Sequence, residues 1–314
     1  MAPRFPAPRR ALQPDNELLG DHGERASHWH EHGYLFLRGV LDADAVAAAR
    51  RELTHRLRSQ GAVRGEGDQP VWSGVPVSAI DAFALYDGEP LFVALAKSAA
   101  LKAALAQVHG EAMHVYESVQ IRFALPGDEV HTIPMHQDAR FIEPDPQFAA
   151  FWIPLVDIAP GEGGLALVPG SHRRGLLAHR LLKDYYSFYM GEERPQRCIP
   201  LDEIEGEWVG ADFKAGDLLL FDSFVVHTAL PNRSPLVRLS IDGRYQAAAR
   251  PLVNWQSRYS VRAGTARRQA VVDLLGARAD ENADRREAVV AAILAGDLPA
   301  DRATVDRLLN DYRA

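Results

Sequence analysis

The sequence predicts an α+β protein with a double-sheet β core, helices before it and a helical appendage after it. Three observations lead there. Up to about residue 110, apolar residues recur at helical spacing. Segments 112–125, 148–158, 217–227 and 236–247 are rich in Val, Ile, Phe, Trp and Tyr and are bounded by Pro, Gly and Asn clusters, as short strands are. From about residue 264 the chain turns Ala- and Arg-rich, again at helical spacing. Helices, then many short strands, then helices fit a β core with flanking helices better than alternating βαβ units.

In order along the chain, residues 1–25 begin with a Pro- and Arg-rich stretch and are expected to be a flexible leader. No apolar run follows it, so neither a signal peptide nor a twin-arginine signal is supported. Gly33 to Val40 is a strand-like run. Asp42 caps a helix carrying Val46, Leu53 and Leu57 on one face, and Ser98 opens another with Leu101, Leu105 and Val108. Residues 61–74, polar and Gly-rich, read as a loop. The β core with its preceding helices is expected to form one domain over 26–262. Residues 263–314 form the helical extension, packed on that domain or at a dimer contact, in a monomer or homodimer. Its apolar positions include Val271, Leu274, Leu275, Val289, Val290, Ile293, Leu294, Val305, Leu308 and Leu309.

The 314 residues are 47% hydrophobic and 25% charged, which suits a soluble chain with ample core. A net charge of -7 and a pI near 5.9, with no basic stripe, argue against nucleic acid as a partner. No stretch reads as the roughly 18 apolar residues a membrane span needs. One cysteine, Cys198, allows no internal disulfide and fits a reducing compartment, so the cytoplasm is the expected location.

His136-Gln137-Asp138 is the chemically suggestive feature. Residues two apart on a strand share a face, so both ligating side chains can reach one ion. His227, at the end of the apolar run Leu218 to Val226, is the best third ligand. Two histidines and a carboxylate on one side of an ion leave three positions open, the arrangement of non-haem Fe(II) oxygenases. Among twelve histidines a chance His-x-Asp is common, so the pair alone is weak. Arg238 strengthens it. The intervening Pro231-Asn-Arg-Ser-Pro235 is a turn by composition, so flanking strands would run antiparallel and bring Arg238 beside the metal. There it could grip the far carboxylate of an iron-chelating keto acid.

With His136 and Asp138, then Trp152 to Asp157, then Gly161 to His172, then His227 and Arg238, the chain resembles the phytanoyl-CoA dioxygenase-like enzymes over roughly residues 28–250. The run Gly33 to Leu41 matches how that family begins. The resemblance implies a double-stranded β-helix, or jelly roll, with Fe(II) held by His136, Asp138 and His227. It implies 2-oxoglutarate anchored by Arg238 and O₂ as the oxidant. Gln120 and Trp152 fall where family members place side chains near the cosubstrate, and each could equally be a core strand residue. Ser240, two after Arg238, could share the far carboxylate. Arg140, Phe141 and Arg244 are candidate substrate-binding residues, or else surface residues or supports of the ligands. Residue 138 is a carboxylate, which halogenating relatives lack, so hydroxylation of a small metabolite or natural-product intermediate is expected. The rival readings are a jelly-roll metal protein that uses no 2-oxoglutarate and a non-catalytic binding protein on the same fold.

Other motifs read as structural. The glycines of 161–172 lack phosphate-loop spacing and suit a tight connection, with Ser171 and His172 bonding nearby backbone. His28, His30 and His32 are expected to be solvated, and His131 to lie on a loop.

Overall fold

The computed structural model describes residues 5–65, 69–81, 84–85, 90–116, 119–141, 148–189 and 192–250. Its elements are β1 (Arg10–Ala11), α1 (His22–His32), β2 (Tyr34–Leu37), α2 (Ala43–Ser59), β3 (Val63–Arg64), β4 (Val71–Trp72), α3 (Pro90–Ala96), α4 (Ala99–His109), β5 (Met113–Val115) and β6 (Gln120–Ala124). There follow β7 (Ala149–Pro154), β8 (Leu165–Leu167), β9 (Arg180–Tyr189), β10 (Glu192–Cys198), β11 (Val209–Gly210), β12 (Leu218–Asp222), β13 (His227–Ala229) and β14 (Arg238–Ala247). The helical appendage expected over 263–314 lies outside the described residues.

Local chemistry explains the helix ends. The Asp42 carboxylate accepts from the Ala45 amide at 2.8 Å, and Ser98 Oγ accepts from Leu101 N at 3.2 Å, each satisfying an otherwise orphaned donor. Gly33 closes α1 in the left-handed conformation at φ 75°. A Cβ there would fall 2.4 Å from the His172 ring, so glycine is required twice over.

One sheet runs β2-β12-β7-β14-β5, with β6 also paired to β14; the other runs β1-β11-β8-β13. Successive strands alternate between sheets: β6 in the first, His136 bridged to β13 in the second, then β7 back in the first and β8 in the second. The same alternation repeats through β11, β12, β13 and β14. This is the strand order of a jelly roll. Between the sheets lies one apolar cluster, with Phe36, Trp152, Leu219 and Phe221 from the first and Leu165, Leu167 and Val209 from the second. Period-two alternation decides which residues enter it. On the opposite face, Gly243 sits under the Phe151 ring, where a Cβ would come within 2.3 Å.

Four expectations need correction. Part of the expected leader belongs to the fold: Arg10 and Ala11 pair in parallel with β11, and Leu12 joins the core. Its proline-rich composition hid a two-residue edge strand too short to show a period. The loop at 61–74 contains β3 and β4, paired antiparallel. The turn at 231–235 does not close a hairpin, because β13 and β14 belong to different sheets. Finally, Leu91–His109 is long and apolar enough to cross a membrane by length and composition. The stretch is two helices, α3 and α4, joined at Lys97 and the Ser98 cap, and Leu101, Leu105 and Val108 are buried within this protein. Sequence reading also passed over β8, β11 and the long β9–β10 ribbon. Tyr185 and Cys198 of that ribbon are buried against Ala166, Val168 and Trp208.

Candidate metal centre

The candidate ligands converge as expected, by a different local route. His136 is not within a regular strand. Its backbone exchanges two hydrogen bonds with His227, at 2.9 and 3.0 Å, in an isolated bridge. Asp138 opens a 3-10 turn over Asp138–Arg140 rather than continuing a strand. Gln137 between them is fully buried and acts as a fastener. Its Nε2 donates to the carbonyls of Gly175 (2.8 Å) and Phe224 (2.7 Å), and its Oε1 accepts from Leu177 N at 2.7 Å.

Imidazole Nδ1 of His136 bonds the Pro134 carbonyl at 2.8 Å, and that of His227 bonds the Val225 carbonyl at 3.0 Å. A carbonyl can only accept, so in both rings Nδ1 carries the proton and Nε2 keeps its lone pair. Those Nε2 atoms lie 3.6 and 4.0 Å from Asp138 Oδ1, and the three ligand atoms are all within 4.8 Å of one another. Asp138 Oδ2 is buried with no hydrogen-bond partner. A carboxylate whose Oδ1 faces two nitrogen lone pairs while its Oδ2 is buried without a partner is unfavourable unless a cation completes the set. Two nitrogens and one oxygen suit a divalent first-row metal, so the residues fit.

The electrostatics point the same way. Burial opposes charge on Asp138, yet the Arg244 cation beside it prevails and holds the carboxyl far below the usual range. Burial and the neighbouring His136 push His227 down to about 3, keeping it neutral and ligand-ready at neutral pH.

The inward face of β14 carries Arg238, Ser240, Asp242 and Arg244 in alternation, a polar row set between apolar Leu239 and Ile241 and their neighbours. Arg238, 7% exposed, donates from Nε to the Gly163 carbonyl at 2.8 Å and from Nη1 to Ser240 Oγ at 2.7 Å. Gly163, at φ 82°, packs against the Arg238 side chain, so the glycine-rich connection has a second use as its backing. Ser240 Oγ also accepts from Trp152 Nε1 at 3.0 Å. With two donors already pointing at it, the hydroxyl hydrogen is left to donate elsewhere.

Trp152, in the apolar cluster between the sheets, therefore supports Ser240 with its single polar side-chain atom. Gln120 is half-buried on β6, directly across from Asp242, and shares the inward face. Arg244 has the geometry of the other alternative expected for it, a support of the ligands. It is buried and paired to Asp138 at 2.9 Å and to Asp242 at 2.8 Å, so its charge is spent on protein carboxylates rather than offered to a substrate. Arg140 is half-buried in the turn after Asp138, and Phe141, 41% exposed, stands with its ring 5.8 Å from that of His136.

His172 bonds the His30 carbonyl at 3.1 Å, a long-range tie rather than the local one expected, while Ser171 does bond locally to Val168 at 2.7 Å. His131 pairs with Asp128 on its loop. Of His28, His30 and His32 only His30 is exposed; His28 and His32 are half-buried and pack edge-on, which corrects the expectation that all three are solvated. Sequence reasoning missed Asp242, Arg122 and Gly163. The alternation of polar residues along an otherwise buried strand was the available signal.

A model of the phytanoyl-CoA dioxygenase (PhyH) family matches residues 29–240. A 1-deoxypentalenic acid 11-beta-hydroxylase of Streptomyces arenae is 31% identical over 241 residues, covering 74% of this chain and 83% of the relative. Among solved structures, the epimerase SnoN, in complex with Fe3+, alpha ketoglutarate and nogalamycin RO, is similar with TM-score 0.52 at 22% identity, over 77% of this chain and 90% of that one. EctD from S. alaskensis, with 2-oxoglutarate and 5-hydroxyectoine, gives 0.51 at 18% identity, over 81% and 85%. These two likenesses concern the fold. The sequence matches establish that the chain belongs to the phytanoyl-CoA dioxygenase family.

Proposed function

We propose that this family member is an Fe(II)- and 2-oxoglutarate-dependent dioxygenase that hydroxylates an unactivated C–H bond of a small metabolite or natural-product intermediate. The single observation that carries the reading is Arg238. It is a buried cation whose hydrogen-bond partners, Gly163 O and Ser240 Oγ, are both neutral, and no carboxylate pairs with it among the described residues. Leaving a buried cation unpaired costs on the order of several kcal/mol, a cost that an incoming carboxylate would offset. Burial first, and then the nearby Arg122, lower its pKa to about 10, so it still carries its charge at neutral pH.

In this reading His136, Asp138 and His227 hold the iron, while Arg238 and the Ser240 hydroxyl hold the far carboxylate of 2-oxoglutarate. Bound together, the two cofactors would supply the O₂ chemistry, which balances as R–H + O₂ + 2-oxoglutarate giving R–OH, succinate and CO₂. The chain's own part is to orient. Gln137 fixes the strand-like turn between two ligands, the backbone carbonyls at 134 and 225 set the imidazole tautomers, and Trp152 steadies Ser240. Phe141, whose ring stands by that of His136, and Arg140 in the turn after Asp138 are the residues we assign to the substrate side. The relative named above is a hydroxylase of a carboxylic acid, which supports a small organic substrate here.

Anaerobic addition of Fe(II) and 2-oxoglutarate tests this reading. A weak visible band near about 500 nm, generic to keto-acid chelation of iron, is expected only when both are present. No band, or a band unaffected by Arg238→Met at limiting 2-oxoglutarate, would refute it. Asp138→Ala is expected to lower succinate formation by about two orders of magnitude or more, since a direct metal ligand is lost.

A further inference from the structure

Arg244 is buried inside the sandwich and spans two acidic residues. Its Nη2 donates to Asp138 Oδ1 at 2.9 Å, and its Nη1 donates to Asp242 Oδ2 at 2.8 Å and to the Gly243 carbonyl at 3.1 Å. Asp242 is held from its other oxygen by Arg122 Nε at 2.7 Å. The result is a chain of alternating charge, Arg122, Asp242, Arg244, Asp138, running from β6 across β14 to the candidate ligand. Arg244 Nε is buried without a hydrogen bond, so the guanidinium is not placed to satisfy itself. Its geometry serves the two carboxylates.

We infer that Arg244 is a positioning residue: it fixes the Asp138 carboxylate in the ligating orientation, with Asp242 and Arg122 fixing Arg244 in turn. The inference rests on the metal reading above. Three features of the geometry support it. Asp138 sits at the start of a short 3-10 turn, where no regular ladder constrains its side chain. Both histidine ligands have a partner on the nitrogen away from the metal, and Arg244 is the corresponding partner for the third ligand. Arg244 also contacts the same oxygen, Oδ1, that faces both Nε2 atoms, so it defines which carboxylate edge is presented. Partners of this kind change metal affinity by about 10–100-fold when removed.

The test is a Co(II) titration followed by visible absorption, on the full chain without iron, for wild type, Arg244→Met, Arg244→Lys, Asp138→Ala and the double variant Arg244→Met with Asp138→Ala. Circular dichroism first confirms that each is folded, and Asp242→Asn, which loosens Arg244 without touching Asp138, stands in if Arg244→Met is not. Arg244→Met is expected to weaken Co(II) binding by about 10–100-fold. Arg244→Lys should recover part of that loss. On the Asp138→Ala background, Arg244→Met should have no further effect on Co(II) affinity, because it acts through Asp138. An Arg244→Met affinity within about threefold of wild type, or an equal loss with and without Asp138, would overturn the inference. Failure of wild type to bind Co(II) would instead remove the metal reading itself, and this inference with it.

Discussion

Two buried arginines stand six residues apart on the same face of one strand, and their surroundings differ completely. Arg244 is paired with two carboxylates, Asp138 and Asp242. Arg238 has hydrogen bonds only to a neutral carbonyl and a neutral hydroxyl. The difference separates two uses of a buried charge. A cation paired within the protein holds architecture together, whereas a cation left with neutral partners keeps its charge for a ligand. Both cannot be read from residue type, since each is an arginine in an alternating strand.

Stability measurements in the absence of metal and cosubstrate are the most direct way to break this comparison. Arg244→Met leaves the buried Asp138 without its arginine and Asp242 with Arg122 alone, and is expected to cost about 3–5 kcal/mol in urea unfolding. Arg238→Met removes an unpaired buried cation and is expected to be neutral or mildly stabilising. Equal costs for the two would erase the distinction. Next in size, Arg238→Met should raise the 2-oxoglutarate KM about 10–100-fold, as the loss of a charge-assisted, two-pronged contact does. Metal affinity without cosubstrate should stay unchanged, and a matching drop in metal affinity would place Arg238 among the supports instead.

A third measurement concerns a half-buried group outside the candidate site, His109 at the end of α4, which bonds the Tyr245 hydroxyl at 3.0 Å. Burial, then the Arg25 charge, lowers the pKa of His109 to about 4, so the native state keeps it neutral while the unfolded chain titrates near 6.5. A depressed histidine pKa means its contribution is intact above about 6.5 and is lost as pH falls toward 4. Asp15, raised to about 6 chiefly by burial, works in the opposite direction below pH 6. Comparison of wild type with His109→Gln isolates the histidine. Between pH 7.5 and 5.5 wild type should lose about 1 kcal/mol more than the variant, and identical pH profiles would contradict the assignment. The smallest expected effect is that of Trp152→Phe, which keeps the ring and removes the indole donor to Ser240. The 2-oxoglutarate KM should rise only a few-fold, consistent with about 1 kcal/mol for one neutral hydrogen bond. A rise as large as that of Arg238→Met would mean that Trp152 touches the cosubstrate itself.

By itself the sequence determined the strand-rich core, the caps at Asp42 and Ser98, and the ligand candidates His136, Asp138 and His227. Those features rest on period, turn chemistry and the order of motifs, all of which are local or nearly so. It also marked Arg238, although by a hairpin that does not exist: β13 and β14 lie in opposite sheets. The order of residues survived that error because jelly-roll strands cross between sheets in a regular alternation. Only the tertiary structure decided the rest. That Arg244 serves Asp138 spans 106 residues of chain, and that Gly163 backs Arg238 spans 75. Such pairings depend on which strands come to face each other across the sandwich, and no window of sequence contains that information. For the same reason Trp152 and Ser240, 88 residues apart, could be identified as a hydrogen-bonded pair only once β7 lay against β14.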